Sequence, residues 1–293
     1  MAAAAIRRRL LYTLATSDRF ESAVRRVPAL EHATYRLATR YVAGRSFEDA
    51  VAIVDGLSRD GIAASVDFFG EQVTDAEEAT RAADEYVAIA LSLNELASDT
   101  SIAVDLSHIG IDISRDFCRR QLERIVETLG EGRRLDIGAE DSNRTGAILD
   151  VVLRLVRAGA SVQMTIQANL RRSADDWPAL VEAGAAIRLC KGAYVERPAV
   201  AYRYGEETDI AFVRLAHALH DAGASVALAT HDPVLREALL AAIGPVPVEM
   251  LLGVRPDDAR DLRARGVPVR LYVPFGNGWF RYWMRRVAEA QGA

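Results

Sequence analysis

The 293-residue chain is predicted to fold as one (β/α)8 barrel. Three observations carry that prediction. Eight short runs rich in β-branched residues alternate with segments of helical periodicity, and strict strand–helix alternation means parallel strands joined by crossovers. Several helical segments end on glycine, as in Arg157-Ala158-Gly159, Glu182-Ala183-Gly184 and Ala222-Gly223, where glycine takes the left-handed position after a helix at little steric cost. No G-x-G-x-x-G follows the first run, which counts against the alternative, an open doubly wound sheet. Eight strand–helix units close a barrel, for which about 250 residues is typical.

Residues 1–60 precede the first strand and read as an N-terminal helical arm packed on the barrel. They include a helix over Ser46–Ser58 with Ser46 as its N-cap. The barrel itself takes residues 61–293, with no linker or low-complexity stretch between them. The predicted strands are Ala63–Phe69, Ile102–Ser107, Leu135–Ala139, Val162–Ala168, Ile187–Lys191, Val226–Thr230, Val248–Leu252 and Val269–Val273. Helical periodicity fills the gaps over Asp75–Leu96, Ser114–Leu129, Thr145–Arg157, Asp175–Ala183, Asp209–Ala222, Pro233–Ile243 and Asp257–Arg265. Trp279–Ala290 forms one more helix after the last strand.

Composition removes several function classes. A net charge of −5 argues against general affinity for nucleic acid. Two cysteines, Cys118 and Cys190, stand in no metal-like spacing and fit a reducing cytoplasm. No apolar run approaches the roughly 20 residues a membrane span needs. Met1–Leu14 carries Arg7-Arg8-Arg9 and a short apolar patch; it reads as an exposed helix start, with a basic arm touching anionic lipid as the alternative. Lysine and arginine total 36, and Lys191 is the single lysine. A lone lysine among arginines suits a position that needs a compact ammonium or a titratable amine.

Active sites of such barrels lie at the C-terminal ends of the strands. There the sequence gathers Asp67-Phe68-Phe69-Gly70-Glu71, Asp105 with Ser107-His108, Gly138-Ala139-Glu140, Gln167-Ala168-Asn169, Arg188-Leu189-Cys190-Lys191-Gly192-Ala193-Tyr194, Thr230-His231-Asp232, Glu249-Met250-Leu251 and Tyr272-Val273-Pro274-Phe275-Gly276. Polar groups thus crowd one rim of an otherwise apolar barrel, where burial costs several kcal/mol each unless they are paired or serve a ligand. The last helix adds Tyr282, Arg285 and Arg286, with both arginines on the tyrosine's face by spacings of three and four. Two guanidiniums in an apolar setting suit a carboxylate or phosphate clamp, although a solvated basic face gives the same spacing.

These stretches resemble the signatures of proline dehydrogenases. The resemblance rests on Arg188 to Glu196, Ala229-Thr230-His231-Asp232 and Tyr272 to Gly276 with Tyr282, Arg285 and Arg286; Ser65 to Glu71 and Glu249-Met250-Leu251 fit too. It runs over nearly all of residues 60–290, with motifs from several strands in the right order. It implies a distorted barrel with the final helix over its mouth, FAD at the strand C-termini, and oxidation of L-proline to 1-pyrroline-5-carboxylate by hydride transfer, with no second, aldehyde-oxidising domain. Carried over by match, Arg188 meets the flavin near its reactive nitrogen and Gln167 bonds the pyrimidine edge. Lys191, Gly192, Ala193, Thr230 and His231 hold the ribityl and phosphate portions, with Ala139 and Glu249 also on the cofactor side. Leu189, Tyr272 and Tyr282 wall the proline ring, and Arg285 and Arg286 pair with its carboxylate; Arg188, Tyr272, Arg285 and Arg286 are the catalytic set. The family also implies a quinone electron acceptor at the membrane surface, hence a cytoplasmic enzyme on the inner face of the membrane. The oligomeric state stays open, a homo-oligomer included.

Strand parity sets Arg188 against Leu189 and Lys191, so a bend near Leu189 is expected if all three reach the ligands. Two positions depart from the family pattern. Asp105 stands where many members have lysine, and Gly138 where many have aspartate. Asp105 is therefore expected to stand in for the missing third-strand carboxylate and is counted with the substrate-binding residues. The departures also leave open a substituted, hydroxyproline-like substrate. Two rival enzymes remain: a Schiff-base aldolase using Lys191, and a metal hydrolase using Asp105, His108, Glu140 and His231, the latter without any ligand-spacing signature.

Overall fold

The computed structural model describes residues 18–96 and 99–290. The basic segment at Met1–Leu14 lies outside them. Eight parallel strands close a barrel in sequence order: β1 (Ala63–Phe68), β2 (Thr100–Val104), β3 (Leu135–Ile137), β4 (Val162–Gln167), β5 (Ala186–Cys190), β6 (Val226–Ala229), β7 (Val248–Leu251) and β8 (Val269–Phe275), with β8 paired back to β1. Crossover helices follow each strand in turn: α4 (Ala76–Asn94), α5 (Arg115–Thr128), α6 (Ser142–Arg157), α7 (Ser173–Ala183), α8 (Glu206–Asp221), α9 (Pro233–Ile243), α10 (Pro256–Ala264) and, after β8, α11 (Trp279–Ala290). Before the barrel come α1 (Asp18–Arg25), α2 (Pro28–Ala38) and α3 (Phe47–Arg59).

Local chemistry sets these boundaries. Ser46 caps α3 in a reciprocal box with Asp49, whose amide reaches the serine hydroxyl at 3.3 Å while the Ser46 amide reaches its carboxylate at 3.1 Å. Asp75, Ser114 and Asp232 cap α4, α5 and α9 through side-chain oxygens. The glycines expected to end helices have positive φ, 96° at Gly159, 91° at Gly184 and 69° at Gly223. β8 runs two residues beyond its predicted end. Pro274 can still pair with Asp67 on β1 while its carbonyl accepts from Ala43, so a proline beside the arm does not stop the strand.

The barrel interior differs from expectation. It is not apolar below the rim. Alternation along each strand sends Ala64, Val66, Ile102, Val104, Leu135, Ile137, Met164, Ile166, Ile187 and Leu228 into one continuous apolar cluster with the helices. The opposite parity brings Ser65, Ser101, Asp136, Gln163, Thr165, Arg188, Glu249 and Arg270 together, joined by the hydrogen bonds described below. A second apolar cluster joins the ends of the described chain: Trp279, Phe280, Tyr282 and Met284 of α11 pack with Val24, Ala38 and Val42. Trp279 and Phe280 are thus packing residues, and Arg281 of α11 pairs with Glu21 of α1 at 3.1 Å.

Candidate active site at the barrel mouth

The floor of the site is an ionic network. Asp136, with no exposed surface, accepts from Ser65 at 2.7 Å, Ser101 at 2.6 Å, Arg134 at 2.6 Å and Arg188 at 3.1 Å. Glu249 accepts from Arg188 at 2.5 Å, Gln163 at 2.9 Å and Arg134 at 3.4 Å. Burial alone would raise the Asp136 carboxyl, but Arg188 and Arg134 outweigh it and hold it below the ordinary value. Arg188 is likewise driven down by burial and carried well up again by Glu249 and Asp136, so it stays charged. One guanidinium is thereby fixed beneath the mouth by two carboxylates on different strands. Arg188 therefore stands on β5 inside the barrel, bonded to both carboxylates. Glu249 anchors Arg188 through its 2.5 Å bond.

Above the floor, acids and aromatic hydroxyls surround Arg285. This arginine reaches Glu71 at 3.6 Å; burial lowers its pKa, and Glu71, Tyr194, Asp105 and Tyr272 raise it above the ordinary value. Arg286 lies with its guanidinium carbon 5.0 Å from the centroid of the Tyr282 ring. Tyr282 in turn stacks at 5.3 Å on Phe69 and 6.2 Å from Tyr272, forming an aromatic wall. Arg285 thus lies beside Glu71 and Arg286 beside the aromatic wall. Asp67 is 4 % exposed; burial lifts its carboxyl to about 6 against the pull of Tyr272, Arg188 and Arg285. Burial and the neighbouring Asp67, Glu140 and Glu71 push Asp105 well above the carboxylate range. A Cβ added to Gly138 would collide with Asp105 Oδ1, so the carboxyl of Asp105 occupies the volume a side chain on β3 would fill.

The opposite side of the mouth is built on β4, β5 and β6. Gln167 donates to the Glu140 carbonyl at 2.8 Å, while its Oε1 and the Oδ1 of Asn169 are buried without a hydrogen-bond partner. Gly192 has φ 116°, and a Cβ there would run into Asn169, so backbone comes close to this surface as no other residue type allows. Lys191 bridges Asp209 at 2.7 Å and Asp232 at 2.9 Å; burial lowers its ammonium less than those two bonds raise it. His231 accepts from the Leu251 amide at 2.9 Å, and burial with Arg286, Arg236 and Arg255 takes it down to about 4. Thr230 accepts from the Asp232 amide at 3.2 Å, and Ala139 and Ala193 flank Gln167 and Gly192 along the rim.

Some expectations are corrected here. The bend near Leu189 is absent: β5 stays paired through Cys190, with Leu189 between Ile166 and Leu228. Leu189 is fully buried in the outward apolar cluster, so regular alternation removes it from the substrate wall. The aldolase reading fails because a Schiff-base amine must be neutral, and Lys191 is held as an ammonium between two carboxylates. The metal reading fails because His108 is tied to the Tyr86 hydroxyl at 3.1 Å and His231 to a backbone amide, and no group of three ligands converges among the described residues. Three residues that no motif singles out also join the network around the mouth. They are Asp136 and Arg134 in the floor and Tyr194 near Arg285. A charged residue inside the Leu135–Ile137 strand was the available signal for the first.

A closed parallel barrel with two arginines of its last helix beside the mouth and polar groups at the strand C-termini has the layout of a (β/α)8 enzyme. Comparison with known proteins makes the class specific. The proline dehydrogenase family model matches residues 50–293, and the chain belongs to that family. It is 33% identical over 268 residues to proline dehydrogenase of Deinococcus radiodurans, covering 87% of this chain and 86% of that one. It is 32% identical over 260 residues to proline dehydrogenase 1 of Bacillus subtilis, covering 86% of each. Among solved structures, proline utilization A from Bdellovibrio bacteriovorus, inactivated by N-propargylglycine, superposes with a TM-score of 0.81 at 18% identity. That from Corynebacterium freiburgense gives 0.72, also at 18%. This chain spans 33% and 32% of those longer proteins, and the likeness confirms the fold. The enzyme oxidises proline, the first step of its catabolism.

Proposed function

We propose that FAD occupies the mouth against β4, β5 and β6, and that α11 holds proline against it. The buried acceptors of Gln167 and Asn169 support a ligand on that side, since such atoms are costly to leave unmade. Gln167, Arg188, Lys191, Gly192, Ala193, Thr230, His231 and Ala139 would hold the cofactor, which when bound supplies the hydride acceptor. Arg188, fixed by Glu249 and Asp136, offers a preorganised positive charge that needs no rearrangement as negative charge develops beside it. Lys191 would balance a pyrophosphate only by loosening from Asp209 or Asp232, so binding there exchanges one anion for another.

The observation that carries the substrate side is the position of Arg285, among Tyr194, Tyr272, Asp105 and Glu71. With Arg286 it would bind the carboxylate, each charge-assisted bond contributing about 1.5–3 kcal/mol. Tyr272 and Tyr282 would face the ring. Asp105 would take the place of a carboxyl on β3, as its seat over Gly138 supports. Electrons would then pass to a membrane quinone at the cytoplasmic face. No described helix is long and apolar enough to cross a membrane. Peripheral docking is supported by α2 and the turn after it, where exposed Leu30 and Leu37 stand with exposed Arg36 and Arg40.

The test is the visible flavin absorbance of the purified protein before and after anaerobic addition of proline. A yellow protein that bleaches is expected. Protein that takes up no flavin on reconstitution with FAD, or a flavin that proline leaves oxidised, refutes the reading.

A further inference from the structure

Oxidation of a cyclic amine raises a question the clamp does not answer. A saturated ring nitrogen is protonated at neutral pH, much as the Lys ammonium is with its pKa of about 10.4. Hydride can leave the neighbouring carbon only when the nitrogen lone pair is free to stabilise the cation that forms. The guanidiniums of Arg285 and Arg286 push the nitrogen toward its neutral form, but the proton still needs a destination.

Four carboxyls face this part of the mouth, and their partners separate them. Glu71 is paired with Arg285. Glu140 accepts from the Ser107 amide at 2.8 Å and lies 3.6 Å from Arg144. Asp105 is crowded by Asp67, Glu140 and Glu71 and seated over Gly138. Asp67 alone of the four stands on the strand paired with that of Tyr272, one inward position beyond Ser65, the residue opposite Tyr272, and the tyrosine lowers its pKa. Asp67 on β1 and Tyr272 on β8 both face inward, on strands that pair directly.

We propose that Tyr272 and Asp67 form a proton relay that deprotonates the ring nitrogen of the substrate. The N–H bond breaks with its electron pair left on nitrogen. The proton passes to the Tyr272 oxygen as the tyrosine's own proton passes to an Asp67 carboxylate oxygen. Charge balances, since an ammonium and a carboxylate become an amine and a carboxylic acid, and water later removes the proton from Asp67. The groups that face Asp67 are Glu71 from the following loop, Arg188 from β5, Tyr272 from β8 and Arg285 from α11, with Tyr86 of α4 and Asp105 of β2 also within electrostatic reach. A carboxyl poised near 6 is ionised at neutral pH yet accepts a proton readily, as a general base should.

The inference rests on the proline-binding mouth proposed above, and its test separates the two. Stopped-flow reduction of the reconstituted holoenzyme by proline is followed against pH. Binding of cyclopentanecarboxylate, a ring carboxylate without the amine, is titrated in parallel by its perturbation of the flavin spectrum. Wild type should lose its reduction rate constant as pH falls through about 6, the value that Asp67 carries. Asp67→Asn and Tyr272→Phe should each slow reduction by about 10²–10⁴-fold at neutral pH. Both should abolish that acid limb and leave cyclopentanecarboxylate binding within about threefold, which is under 1 kcal/mol. Tyr272→Phe keeps the ring and covers the case of an Asp67 variant that does not fold. Either variant reducing within about threefold of wild type, with the limb intact, overturns the relay while leaving the binding site standing. Equal loss of ring-carboxylate binding and reduction overturns it too, by showing a role in shape only. If wild type itself binds no ring carboxylate, the proline-binding reading fails and the relay with it.

Discussion

Asp136→Asn isolates the ionic floor of the barrel. The substitution keeps volume and an oxygen for Ser65 and Ser101 but removes one of the two anions that hold Arg188. At 3.1 Å and an effective dielectric of about 20, the attraction between Asp136 and Arg188 is about 5 kcal/mol. Breaking a buried pair by removing one partner costs about 3–5 kcal/mol. The loss here should fall near the lower figure, about 3 kcal/mol, because Glu249 keeps its 2.5 Å bond to the same guanidinium. For a chain of this size that corresponds to about 6–12 °C in Tm. Thermal unfolding by circular dichroism at neutral pH checks it. The pH dependence has a definite sign. Asp136 is held below its unfolded value, so its contribution is present above an unfolded pKa of about 3.9 and disappears as pH falls through the folded one. The gap between wild type and variant should therefore narrow on acidification. A Tm change under about 2 °C, or a gap that widens as pH falls, would refute the assignment of Asp136 as a stabilising anion.

Two further outcomes follow from the mouth. Gly138→Ala should evict the Asp105 carboxyl and lower kcat/KM for proline by about tenfold or more, while stability falls by only about 1 kcal/mol. Combining it with Asp105→Ala should add little to the effect of Asp105→Ala alone, because both act on one contact; steady-state kinetics of the three variants decide. Lys191→Met leaves Asp209 and Asp232 facing each other without a cation, and should weaken FAD retention by about tenfold, read by fluorescence titration of the apoprotein.

The architecture was legible because its punctuation is local. Glycines with positive φ, capping residues such as Ser46 and Asp232, and runs of β-branched residues mark element ends without help from tertiary contacts. Arg188, Gln167 and the two arginines of α11 were legible through the family pattern. The rest depends on what alternation places opposite what. Leu189 sits beside Arg188 in sequence and faces the other way, and only the pairing of β5 through Cys190 reveals it. Asp136 belongs to the floor because Ser65, Ser101 and Arg188 arrive from three other strands. The fit of Asp105 over Gly138 is a matter of volume, and the order of letters carries no volume.

The seam between α11 and the first helices has a consequence for assembly. The arginines proposed to grip the carboxylate ride on a helix whose other face is lodged against Val24, Ala38 and Val42, with Arg281 locked to Glu21 and Arg25 to the Asn277 carbonyl. A barrel can close without that seam, because its eight strands bond to one another alone. Competence at the mouth therefore depends, over and above closure of the barrel, on contact between two stretches more than 250 residues apart.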